Sequence, residues 1–150
     1  MYTSHIAQLL WLLIVVTTIV ALWKGDLAER MAGAINLTNA VAISVIHLVV
    51  ANDTRDVFLL VADGAWAVGF LFLALRYASF WLGGAMLLQA VQFSLHAYYM
   101  VVEAPHDRTY AWVNNLDTFG ICICIAAGTI VTWRKRFIDS RDEPNGAAHA

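Results

Sequence analysis

Five stretches of mostly apolar residues run along the chain, and short polar connections separate them. The hydrocarbon core of a bilayer is about 30 Å thick, so a helix that spans it needs roughly 20 mostly apolar residues. Four of the stretches meet this length easily, namely residues 5–23, 57–75, 77–102 and 111–133. The pattern predicts an all-α integral membrane protein with four spanning helices and a fifth candidate.

The fifth candidate, residues 31–51, is weaker because Asn36, Asn39 and His47 stand among its apolar residues. Lys and Arg concentrate in cytoplasmic loops, so their distribution indicates whether this stretch spans. With five spans, seven basic residues fall on one side and two on the other, whereas four spans split them five against four. The sequence therefore predicts a five transmembrane helix bundle with the N-terminus outside and the C-terminus cytoplasmic.

The bundle is predicted to occupy residues 1–136. Residues 137–150 are expected to form a flexible cytoplasmic tail, because Pro144 and Gly146 are typical of irregular structure. No stretch outside the predicted spans is long enough to bury a core of its own, so we expect no second domain. The expected surroundings are the lipid bilayer of a bacterial cytoplasmic membrane, the inner membrane.

Composition narrows the possible classes of protein. Hydrophobic residues make up 61% of the chain and charged residues 13%, and the mean hydropathy is +0.67. Soluble domains are near half apolar and a quarter charged, so a soluble domain is not expected. Nine Lys and Arg against eleven Asp and Glu give a net charge of −2, which argues against a nucleic-acid partner because such a partner requires a basic face.

Four titratable residues lie within the predicted spans, one on each of the last four helices: His47, Asp63, His96 and Asp117. Ionisable groups inside a membrane are costly, so each is a functional hypothesis. At a rise of about 1.5 Å per residue, all four lie roughly 6–9 Å inside the outer boundary. We therefore expect them to share one slab of the outer leaflet.

Three helices carry polar stripes at helical spacing. The stripes are Asn36, Ala40, Ile43 and His47; Gln89, Gln92, His96 and Tyr99; and Asn114, Asp117, Thr118 and Ile121. An unpaired polar group in hydrocarbon costs several kcal/mol, so the stripes are expected to face one another. They predict a ligand or proton pocket formed by His47, Asp63, His96, Asp117, Gln89, Gln92, Asn114 and Tyr99.

The chemistry of this pocket stays open at the level of sequence. The polar side chains could hold the helices together without any ligand. His47 and His96 could ligate a haem from two helices, and together with Asp63 and Asp117 they match the ligand types of a zinc or iron site. A small polar solute or protons are the remaining occupants. Because we expect no carboxyl or His near the cytoplasmic ends of the spans, the predicted pocket opens only outward.

The leading functional hypothesis is a non-enzymatic subunit or partner of a membrane complex. Gly120, Cys124 and Gly128 form a small-residue ridge that would let a protein partner or a second copy approach closely. The alternative is a ligand-, cofactor- or proton-handling membrane protein, or a sensor, that uses the pocket. No nucleophile elbow or phosphate-binding glycine loop indicates an enzyme.

Overall fold

The computed structural model describes residues 4–103 and 107–142. Within these ranges the chain forms five α-helices and no strand, which confirms the predicted helix number and order. Each helix is long and apolar enough to cross a membrane. The helices are α1 (Ser4–Lys24), α2 (Leu27–Val49), α3 (Asn52–Tyr77), α4 (Phe80–Val102) and α5 (Arg108–Asp142).

The helix ends differ from the predicted spans for local reasons. α2 begins at Leu27 because the carboxylate of Glu29 accepts a 2.9 Å hydrogen bond from the backbone N–H of Asp26, which satisfies a donor at the helix start. α4 begins only at Phe80 because Ala78 adopts a left-handed backbone (φ 48°) that ends α3. α5 continues through Asp142, so residues 137–142 of the predicted tail are helical and residues 143–150 lie outside the described part.

The five helices close into a ring. Each helix packs against the next along the chain, α5 also packs against α1, and α2 and α5 meet across the ring. Because the connections are short, consecutive helices run antiparallel. One end of the bundle, called the mouth end here, therefore holds the starts of α1, α3 and α5 and the ends of α2 and α4. We call the opposite end the clasp end.

An apolar core fills the middle of the ring. It is built from fully buried large side chains on α3, α4 and α5, with small residues of α1 and α2 completing the layer. Alanines let those two helices approach closely, as small residues do in membrane helix pairs. The large members are Phe70, Leu73, Leu82, Ile121 and Ile125, and the small members include Ala21, Ala28, Ala32 and Ala85.

The small-residue ridge of α5 packs inside the bundle, against α4. A Cβ built on Gly128 would lie 2.4 Å from the Trp81 ring, and one built on Gly84 would lie 3.1 Å from the Cys124 sulfur. Gly120 faces Leu88 in the same way. The ridge therefore sets the close approach of α4 and α5, and it is not presented on the outside of the ring.

The outer surface of the ring is apolar. Large hydrophobic side chains on all five helices are exposed, and Leu48, Leu75 and Phe80 are among the most exposed. Water-soluble monomers rarely present so much contiguous apolar surface. Polar side chains of the stripes are buried inside the ring instead, so the bundle is polar inside at one end and apolar outside. The buried ones are Asn36, Gln89, Gln92, His96 and Asp117, with Asn39 of α2 beside them.

Candidate functional site

A chain of three polar side chains joins α3, α4 and α5 at the mouth end. Asp63 Oδ2 contacts His96 Nδ1, and His96 Nε2 is in hydrogen-bond contact with the Tyr110 hydroxyl. Asp63 is 0% exposed and His96 is 6% exposed. Both nitrogens of the imidazole are therefore engaged, and the histidine is held between a buried carboxyl and a phenol.

At the mouth-end surface, Asp107 ties the start of α5 to the end of α4. The Asp107 carboxylate accepts a 2.8 Å hydrogen bond from the Tyr110 backbone N–H and a 2.7 Å hydrogen bond from the Tyr99 hydroxyl. The Tyr110 N–H, and then the Tyr99 hydroxyl, hold the pKa of Asp107 below its ordinary value. This arrangement caps α5 and fixes the backbone from which the Tyr110 side chain reaches His96.

Deeper in the bundle, carboxamides link the helices at two levels. Gln92 Nε2 donates a 3.0 Å hydrogen bond to Asn114 Oδ1, which joins α4 to α5. Asn36 Nδ2 donates to the Cys122 sulfur at 3.5 Å, which joins α2 to α5. Carboxamides both donate and accept hydrogen bonds, so each keeps groups that can bind a further molecule.

These carboxamides border a cavity of about 270 Å³ inside the ring, which we call the chamber. Side chains of α1, α2, α4 and α5 line it, and Trp11 of α1 supplies an aromatic wall. The polar lining residues are Asn36, Asn39, Ser44, His47, Gln92, Asn114, Asn115 and Thr118. Four predicted stripe residues of α2, from Asn36 to His47, all lie on this wall.

A second cavity of about 450 Å³, which we call the mouth, adjoins the chamber. The two cavities share Ile43, His47 and Asn114, so the chamber lies directly behind the mouth. The mouth carries the charged and titratable groups of the site, which are His47, Arg55, Asp56, His96 and Tyr110. A molecule that enters from the mouth end meets these groups first and the carboxamides afterwards.

The predicted pocket residues are distributed over four places. Asp63 and His96 are in contact, and His47, Gln92 and Asn114 line the chamber. Gln89 and Asp117 are buried but line neither cavity. Tyr99 bonds to Asp107 and does not line the cavities. The structure therefore brings three of the predicted residues together at the chamber and joins Asp63 to His96, while Tyr99, Gln89 and Asp117 lie off the cavity walls.

Several site residues were not anticipated from the sequence. Tyr110 and Arg55 lie outside the predicted spans, and Trp11 sits on a helix that is apolar on every side. Asn39 and Asn115 fall outside the three predicted stripes, yet both line the chamber. For Asn39 and Asn115 the signal was present, because polar carboxamides inside a span must find partners.

The expectation that the clasp end has no buried carboxyl was wrong. Glu29 is 4% exposed there, and it accepts 2.9 Å hydrogen bonds from the Asp26 N–H and from the Thr132 hydroxyl of α5. Arg136 of α5 pairs with Asp26 and donates to the Gly25 carbonyl at 3.4 Å. We call this group the clasp, because it fastens the α1–α2 turn to α5.

Haem or transition-metal ligation finds little support in the geometry. An iron bound to His96 would have to displace either Asp63 or Tyr110 from the imidazole. In residues 4–103 and 107–142, no group of three or more His, Cys, Asp or Glu side chains could hold a metal ion. The zinc or iron hypothesis for His47, Asp63, His96 and Asp117 therefore lacks an assembled ligand set in this part of the chain.

No protein family model matches the chain, and comparisons with curated proteins and with solved structures find no match either.

Proposed function

We propose that the protein is an integral membrane protein that binds a small polar solute in the chamber, with the mouth end facing outward. The apolar outer surface and the five apolar helices support insertion in a bilayer. The count of seven basic residues against two supports a cytoplasmic clasp end, and a bacterial cytoplasmic membrane is the proposed location. Solute would then reach the chamber from outside the cell.

The chamber is the single observation that carries the proposal. A cavity lined by carboxamides and hydroxyls presents both hydrogen-bond donors and acceptors, so it suits a neutral or zwitterionic solute that has both. Its volume of about 270 Å³ is at the small end of ligand pockets, which run from roughly 300 to 1,000 Å³. The aromatic wall at Trp11 adds an apolar face for the carbon skeleton of such a solute.

Solute binding accounts for the structure better than the partner hypothesis does. That hypothesis depended on the small-residue ridge of α5 and on the polar residues of α2, and both pack inside the bundle. Gly128 and Cys124 pack against α4, and Asn36 and Asn39 are buried. Association with a protein partner or a second copy stays a separate prediction, which co-purification in mild detergent tests.

The binding test uses the full chain in lipid nanodiscs and a panel of amino acids, polyols, small amines and small carboxylates. Binding is followed by tryptophan fluorescence, with Trp11→Phe identifying the signal of the chamber wall. Ala40→Phe places a ring in the chamber and is expected to abolish binding. Ala34→Phe is the matched control, because Ala34 is exposed on the same helix.

The two variants distinguish binding in the chamber from binding elsewhere. Binding that Ala40→Phe removes and Ala34→Phe retains supports the proposal. A folded wild type that binds no member of the panel, or a solute that binds both variants equally, contradicts it.

The orientation in the membrane is tested separately. A reporter fused after Ala150 is expected to be cytoplasmic, and a reporter inserted between Asn52 and Asp56 is expected to be external.

A further inference from the structure

Two buried polar side chains lie at the depth of the inner part of the chamber, and neither lines it. Gln89 of α4 is 0% exposed, and neither its amide nitrogen nor its amide oxygen has a hydrogen-bond partner among the described residues. Asp117 of α5 is 4% exposed, and its Oδ2 has no partner in the same part of the chain. Buried polar groups in native proteins are nearly always satisfied, so these atoms point to something that bridges them.

The register of the two helices places these side chains opposite each other. Gln92 bonds to Asn114, and the next contact toward the clasp end joins Leu88 to Gly120. Gln89 is three residues deeper than Gln92, and Asp117 is three residues deeper than Asn114. Because residues three apart share a helix face, Gln89 and Asp117 form the next pair between the antiparallel helices. No direct hydrogen bond closes this pair.

The charge of Asp117 needs a counter-charge. Burial of an unpaired carboxylate costs several kcal/mol. Asp117 takes part in neither of the salt-bridge contacts described within residues 4–103 and 107–142, which join Asp63 to His96 and Asp26 to Arg136. A bound cation would supply this charge, and it would also occupy the free amide oxygen of Gln89.

We propose that Asp117 and Gln89 bind a monovalent alkali cation, beside the inner part of the chamber. Carboxylate and amide oxygens are the ligands that hard cations take. A single carboxylate balances a single positive charge, which favours a monovalent ion. Gln92 and Asn114 lie one turn above the pair and line the chamber, so the chamber provides the approach. This site exists whether or not a solute binds in the chamber, so its test is independent of the proposed function.

The test measures the thermal unfolding of the detergent-solubilised full chain while NaCl, KCl or LiCl replaces choline chloride at constant ionic strength. A ligand that binds the folded state favours it by a factor of one plus the ratio of its concentration to Kd, so about 100-fold at 100 times Kd. We expect the Tm of the wild type to rise with the logarithm of the concentration of one alkali cation. Equilibrium binding of ²²Na⁺ gives a direct second readout.

Three variants make the test specific. Asp117→Asn is expected to lose both the cation-dependent rise in Tm and the bound ²²Na⁺. Gln89→Leu keeps the carboxyl but loses the amide oxygen, so it is expected to weaken cation binding at least tenfold; it also serves if Asp117→Asn does not fold. Asp56→Asn is the matched control, because it removes a carboxyl from the mouth and is expected to leave the cation response unchanged.

Three results would overturn the proposal. One is a wild-type Tm that is equal in all the alkali salts and in choline chloride. Another is a cation response that Asp117→Asn retains. The third is a Tm that depends on pH but on none of the cations, because it would show that Asp117 carries a proton in place of a metal ion.

Discussion

The contact between Asp63 and His96 allows a quantitative test of how the bundle handles buried ionisable groups. The perturbation is a double-mutant cycle of Asp63→Ala, His96→Ala and the double variant. Loss of the contact between His96 and Tyr110 occurs in both variants that lack the histidine, so it cancels from the coupling energy. The coupling energy therefore reports the interaction of Asp63 with His96 alone.

Two different energies could describe the coupling between Asp63 and His96. Breaking a buried ion pair by removing one partner costs about 3–5 kcal/mol. Interhelical hydrogen bonds in membrane proteins average only about 0.6 kcal/mol and reach about 1.7 kcal/mol. An ion pair is stable in a low dielectric only when further hydrogen bonds satisfy the carboxylate, and Asp63 Oδ1 has no hydrogen-bond partner among the described residues. We therefore expect a coupling energy of about 0.6–1.7 kcal/mol.

The assay is reversible unfolding in mixed micelles, followed by circular dichroism as the fraction of denaturing detergent rises. The Gln92 and Asn114 pair supplies the matched control cycle, because it is a neutral interhelical hydrogen bond of 3.0 Å one turn away. Similar coupling energies in the two cycles support the reasoning. A value of about 3 kcal/mol or more for Asp63 and His96, with a small value for the control, would refute it and identify a charged pair.

Three further predictions concern helix ends and packing. Glu29→Ala leaves two clasp donors unpaired and is expected to lower the free energy of unfolding by about 1–3 kcal/mol in the micelle assay. Gly128→Ala forces a Cβ against an indole ring at 2.4 Å and is expected to destabilise by about 1–3 kcal/mol, whereas Gly83→Ala meets open space and is expected to stabilise by about 0.4–1 kcal/mol. The pKa of Asp107 is lowered in the folded state, so its capping contribution is complete above its unfolded pKa of about 3.9 and is lost as the pH falls through the lower folded value. NMR of the first amides of α5 would follow this loss with pH, and Asp107→Asn is expected to abolish the pH dependence.

Depth along a helix was predictable from the sequence, because the rise per residue is fixed. Asp63 and His96 were placed at similar depth on neighbouring helices, and they are in contact. The helical period was informative in the same way for α2. Asn36, Ala40, Ile43 and His47 repeat at helical spacing, and all four line the chamber. A polar stripe in an apolar span has to face inward, so its direction follows from solvation.

The order of helices around the ring was not predictable, because it depends on packing between elements far apart in sequence. α1 is apolar on every side, so its own pattern does not indicate which face meets the chamber. Trp11 reaches the chamber only because α5 closes the ring onto α1. Tyr110 similarly reaches His96 because the Asp107 cap orients the first turn of α5. The position of Trp11 thus depends on ring closure, and that of Tyr110 on the cap at the start of α5.

The clasp was missed for a different reason. Glu29 stands in a charged segment that resembles a solvated connection, and its burial depends on the Thr132 hydroxyl, 103 positions later in the chain. The local signal was nevertheless present. Asp26 followed three residues later by Glu29 is the spacing of a helix N-terminal capping box, and it predicts that α2 begins before residue 31.

The order of buried side chains from the mouth end to the clasp end indicates whether a bound solute could cross the bundle. From the mouth end inward, the chamber reaches Asn36 and Ile121, with Gln89 and Asp117 beside its inner part. A layer of fully buried Phe70, Leu82 and Ile125 follows before the clasp is reached. A polar solute that crossed this apolar layer would lose its hydrogen-bond partners, at a cost of roughly 2–7 kcal/mol per group. On the far side of this apolar layer, the clasp hydrogen bond from Thr132 to Glu29 joins α2 to α5. The helices are therefore fixed together at the closed end of the bundle. A chamber open at one end and sealed at the other favours reversible binding over passage.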